Sequence, residues 1–228
     1  MENQVNPEIE APKQKPSIFG IIMNPKEQFE KMRENPKVLV PLIIITVLTI
    51  VGSLLMINGM DFMNDPSLAG MSEEEIMMVA MVSQISFVII GLLTPVITIF
   101  IITLGHFIIA KIASPAATFK QLFSMNTHIF IIGTISLLLN GLVFMFIGGD
   151  PEKLFTSLNS IVGAEGFLGV FLNSIEIFAI WSYIITAMGL QIVAKFSKGL
   201  AWTTVIAFYI IGLVMQMISV GFSMMLGV

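Results

Sequence analysis

The chain has 228 residues, 56% of them hydrophobic and 11% charged, with a mean hydropathy of +0.93 and a formal net charge of −4. Soluble domains carry about 25% charged residues, so this chain has too few charges to build a water-facing surface. It has no cysteine, which excludes disulfides, thiolate metal sites and cysteine nucleophiles.

Residues 1–16 are polar and proline-containing, unlike a signal peptide. They are expected to form a disordered cytoplasmic tail ahead of a membrane domain over 17–228. Next comes "NPKEQFEKMRENP" from Asn24 to Pro36. Asn24 suits a cap, Pro25 the first helical position and Glu27 the third, as in a capping box, and Pro36 ends the segment. Phe29 and Met32 are three apart and share a face. A short amphipathic helix lying in the cytoplasmic interface is expected. It serves either as a lead-in that sets topology or as a docking site for a partner through Phe29, Met32 and Arg33.

Five uncharged or nearly uncharged runs follow: Val38 to Asn58, Ile85 to Ala110, Ile129 to Gly148, Val170 to Val193 and Thr203 to Gly227. A crossing needs about 20 apolar residues. Within lipid each run must be helical, because every backbone amide needs a partner inside its own segment. The fold class expected is therefore all-α, a polytopic membrane protein of five spans. Pro41 falls in the first turn of the first span, where a missing N–H costs nothing, and Pro95 falls mid-way along the second, where it predicts a kink. Before the second run, "SEEE" places Ser72 as a cap with Glu75 as its reciprocal partner, extending that helix outward. The three adjacent carboxylates point in different directions and do not make a metal site.

All basic residues except Lys153 fall in the tail, in the loop holding Lys111 and Lys120, or in the turn "KFSKG" with Lys195 and Lys198. The positive-inside rule then puts the N-terminus in the cytoplasm and the C-terminus outside.

Polar groups inside spans are the places to look for chemistry. Glu176 is the one acid within a run, beside Asn173 and Ser174; His106, Asn140 and His128 join it in the candidate intramembrane set, and Gln191 and Gln216 complete the polar residues there. Glu176 reads equally as a neutral hydrogen-bonded residue, a charged wall of a wet pocket, or an outward snorkel. His106 reads as an interhelical hydrogen-bonding residue, and depth separates it from Glu176, so the two are not paired. His128 is placed at the start of the third span. Ser219, Ser223 and Gly227 form a small-residue stripe suited to helix packing, within or between chains, so oligomerisation is possible. No P-loop, H-E-x-x-H or G-x-S-x-G motif is present. No catalytic residue, cofactor or metal is expected, and no nucleic-acid partner.

Three stretches resemble the bacterial branch of the Ypt-interacting-protein (Yip) domain family. "IIMNPKEQFEKMRENPKVLVPLIII" is similar to its N-terminal helix and first span. "LGHFIIAKIASPAATFKQLFSM" is similar to its His-containing second span and entry to the third, with "ASPAA" where the family usually has Gly-Gly. "WSYIITAMGLQIVAKFSKGLAW" is similar to its closing segment. The resemblance implies a five-span scaffold that is not an enzyme. It also implies an accessory role beside another membrane complex, the subunits of an ABC exporter in resistance to an antimicrobial peptide. The alternative from the residues themselves is a transporter or channel subunit using Glu176.

Overall fold

The computed structural model describes residues 14–113, 117–148 and 153–226. Most of the expected tail, the centre of the "ASPAA" turn and Gly227 lie outside the described residues. Among these the chain is helical: α1 (Gly20–Met23), α2 (Pro25–Glu34), α3 (Leu39–Asn58), α4 (Glu73–Ala113), α5 (Phe119–Ile147), α6 (Asn159–Val162), α7 (Gly166–Ser174), α8 (Ile177–Val193) and α9 (Lys198–Leu226).

Four of these, α3, α4, α5 and α9, are long and apolar enough to cross a membrane. The fourth expected span, Val170 to Val193, is not one helix: it breaks at Ile175 and Glu176, and α8 alone has 17 residues. At ~1.5 Å per residue α8 is about 26 Å long, short of a ~30 Å hydrocarbon core. By contrast α4 has 41 residues and extends about 61 Å on the same rise. Its start carries the expected box, with Ser72 N–H donating to Glu75 Oε2 (2.8 Å) and Glu75 N–H to Ser72 Oγ (3.4 Å). The helix continues through Pro95, which is buried.

Helices α3, α4 and α5 pack together as a bundle, while the buried hydrophobic cluster centres on α5 and α8 with Phe29 and Met32 of α2. Helices α3 and α5 run parallel: Ser124 Oγ donates to the Lys37 carbonyl (2.7 Å) near their starts, and Gly59 meets the Phe144 ring near their ends. Helix α4 packs beside both and runs the other way. Small residues let the backbones approach, the usual basis of helix association in lipid. A Cβ at Gly141 would lie 2.9 Å from Leu55 Cβ and 3.1 Å from the Gly52 carbonyl oxygen, and one at Gly91 would lie 3.0 Å from Ile50 Cα.

Helix α2 does not lie free on a surface. Phe29 and Met32 are fully buried, against the expectation that they face a partner; Arg33 alone of that trio is exposed. The reason is a notch. A Cβ on Gly189 of α8 would sit 2.9 Å from Phe29 Cζ and 2.8 Å from Met125 Sδ, so glycine there admits the Phe29 ring between α8 and α5. Gln121 Nε2 also donates to the Arg33 carbonyl (2.5 Å). The expected capping box is replaced by a side-chain pair, Asn24 Nδ2 donating to Glu27 Oε2 (2.6 Å).

At "KFSKG" α8 ends with Lys195 at φ 60°, a left-handed conformation that favours glycine. It lets the Phe196 N–H reach back to the Leu190 carbonyl (3.2 Å) and buries the Phe196 side chain.

Candidate functional site

A helix broken at membrane depth exposes backbone groups that lipid cannot satisfy, and such breaks persist only where protein re-pairs them. Here an incoming segment does so. The Leu158 N–H donates to the Ile175 carbonyl (3.0 Å), and the Ile177 N–H donates to the Thr156 carbonyl (3.3 Å), a single antiparallel bridge between Ser157 and Glu176.

Three side chains fix that bridge. Asn140 of α5 donates through Nδ2 to Thr156 Oγ1 (2.8 Å) and accepts from the Thr156 N–H (3.3 Å). Ser157 Oγ donates to Asn173 Oδ1 (3.0 Å). Glu176 then starts α8: its Oε2 accepts from the Ala179 N–H (2.6 Å), and its Oε1 accepts from Ser136 Oγ (3.1 Å). Both carboxyl oxygens thus act as acceptors at a helix N-terminus, where the helix dipole favours negative charge. Ser136 lies eleven residues before the end of α5, so the carboxyl group is about 16 Å in from that end at ~1.5 Å per residue. Glu176 is buried, 5% exposed, so the outward snorkel is ruled out.

Beside the break lies a cavity of about 570 Å³ between α4, α7, α8 and α9. Glu176 lines it together with Tyr183 and Tyr209, whose rings meet edge to face at 5.4 Å; the Tyr209 hydroxyl is 2.9 Å from Ser174 Oγ. His106 lines the same cavity. Depth along the sequence kept His106 and Glu176 apart as a pair, and no hydrogen bond joins them among the described residues, but they share one chamber. The His106 ring packs on Phe208 (4.9 Å), and Asn126 Nδ2 donates to Thr103 Oγ1 (2.9 Å). His106 Nδ1 is buried without a protein partner.

The other expected residues fall elsewhere. His128 does not open a span: α5 starts nine residues earlier at Phe119, behind a Thr118–Gln121 capping box, and His128 is wholly buried with Nδ1 2.7 Å from the Ser124 carbonyl. Gln191 Nε2 donates to the Ala187 carbonyl of its own helix (2.9 Å), and Gln216 lines the cavity. Ser219 and Ser223 are exposed on α9, and Ser223 lines a groove with Gly169 and Val170 of α7. Sequence reading missed Ser136, Thr156 and Ser157. Their signal was thin: "FTSLNS" is a run of hydrogen-bonding side chains in an apolar setting, matched by "NS" just before Glu176.

Comparison with known proteins gives one consistent answer. The Yip1 domain profile matches residues 19–219. Membrane protein YknW of Bacillus subtilis (strain 168) is 31% identical over 222 residues, covering 96% of this chain and 96% of that protein. No solved structure matches.

Proposed function

This chain belongs to the Yip1 domain family, and from that membership we propose that it is a non-catalytic accessory subunit of the bacterial cell membrane, N-terminus inside and C-terminus outside. Its partner in this reading is an ABC exporter that resists an antimicrobial peptide. With no P-loop in the sequence, the energy for any transport comes from the partner. The observation that carries the reading is the state of α9. Only 6% of its most apolar stretch is buried within the chain, against 44% for α5, and its buried residues are Ala201, Thr204 and Val205 in the first two turns. Beyond those turns α9 presents one apolar stripe, Ile210, Val214 and Ile218, each four residues from the next, a face left open to a second helix.

The test places a photo-crosslinking residue at Ile218 and irradiates native membranes. Adducts to exporter subunits are the expected result. Recovery of uncrosslinked protein alone, across the length of α9, would overturn the proposal. A second reading, a transporter or channel subunit, is supported by the buried Glu176 at the helix break. It expects flux in liposomes that Glu176→Gln abolishes.

A further inference from the structure

The cavity at the helix break has the make-up of a ligand site. Its volume, about 570 Å³, lies in the range of small-molecule pockets, which pair apolar walls with a few placed polar groups. The walls come from Ile101, Ile102 and Phe208. The polar groups divide between two ends. At one end are Glu176 and the adjoining rings of Tyr183 and Tyr209. At the other is His106, 1% exposed, with Nδ1 lacking a partner among the described residues. Protein groups alone leave that nitrogen unsatisfied, an arrangement that native interiors avoid unless something else completes it.

A carboxyl group beside two phenol rings, one edge-on to the other, selects a cation, because aromatic rings attract organic ammonium groups. The apolar walls exclude a small hydrated ion. We propose that this cavity binds a lipophilic aromatic monocation, its charge against Glu176, Tyr183 and Tyr209 and its body along Phe208, with a hydrogen-bonding substituent meeting His106 Nδ1. The site rests on neither reading above. Binding is read on the isolated full chain and the accessory role on its neighbours in membranes, so either fails without the other.

Gly212 supplies a discriminating variant. It lines the cavity, and a Cβ there meets no atom within 4 Å, so a bulky side chain grows into the open space and leaves Glu176 in place. Ethidium is titrated into nuclease-treated full-length protein in nanodiscs, followed by its fluorescence, with neutral hydroethidine as a competitor of nearly the same shape. The proposal expects saturable one-to-one binding, hydroethidine weaker by tenfold or more, and losses of at least tenfold in Glu176→Gln and in Gly212→Phe. Thermal unfolding of both variants reports folding, and Gly212→Phe decides the matter where Glu176→Gln disturbs the helix start. Uptake equal to that of empty nanodiscs, equal affinity for the neutral competitor, or undiminished binding by folded Gly212→Phe would each overturn it.

Discussion

The α3–α5 bundle and the α7–α9 flank are built from equally apolar sequence and held together by different forces. In the bundle, backbones touch through Gly52, Gly91 and Gly141, and close packing dominates, with Asn126 to Thr103 as a buried hydrogen bond between α5 and α4. On the flank the joints are polar: Asn140 on Thr156, Ser157 on Asn173, Ser136 on Glu176, Ser174 on Tyr209. Packing tolerates no gap, whereas a hydrogen-bonded joint fixes a few atoms and leaves space around them. That is why the larger space opens on the flank, about 570 Å³ against about 190 Å³ where α4 and α5 meet α8.

The sharpest way to break this contrast is to enlarge a glycine in each region. Gly141→Leu drives a side chain into Leu55 and the α3 backbone, and a loss of about 3 kcal/mol or more is expected from overpacking. Gly212→Leu meets open space and should unfold within a degree or two of the parent, on the order of the scatter for neutral surface changes. Thermal unfolding in one detergent checks both, and equal shifts would erase the distinction.

The polar joints come next. Asn140→Leu strips the Thr156 N–H and hydroxyl of partners, and ~2 kcal/mol is expected from leaving buried groups unmatched. Hydrogen exchange should show early opening at Thr156–Leu158 while α3 stays protected. Uniform opening would mean the flank has no separate stability. Glu176→Ala removes the α8 cap at a cost of about 1 kcal/mol, read in the same experiment as faster exchange at Ala179.

Smaller effects lie at the ends of the molecule. Lys195→Gly relieves the left-handed backbone at φ 60° and should raise stability by roughly 1 kcal/mol, with the melting temperature as the measurement. In the loop after α3, the Asn64 side chain holds the Asp61 carboxyl below its ordinary range and the Ser67 side chain does the same for Asp65. A depressed folded value stabilises above the unfolded one and is lost as pH falls through the folded value. The Asn64 and Ser67 amides should therefore exchange faster only once the pH drops below the usual carboxylate range.

Run length disclosed the long helices, and the "SEEE" start was legible because a capping box is local: Ser72 and Glu75 are three residues apart. The site was not local. Ser136 and Glu176 are forty residues apart, and the Asn140–Thr156 joint spans sixteen, so neither carries a periodic trace. A hydropathy window also averages across Ile175–Glu176 and reports one span where the backbone makes two helices. Phe29 and Met32 were placed on the correct shared face, but the glycine that receives them is 160 residues away.

That distance has a consequence in time. The seat of α2 is made by Met125 and Gly189, and a chain emerging N-terminus first has neither when Phe29 appears. At ~5–20 residues per second, roughly 8 to 30 s of synthesis separate the ring from its notch. During that interval α2 is a guest without a room, and its ring can be seated only after α8 has been made, with α9 still to follow.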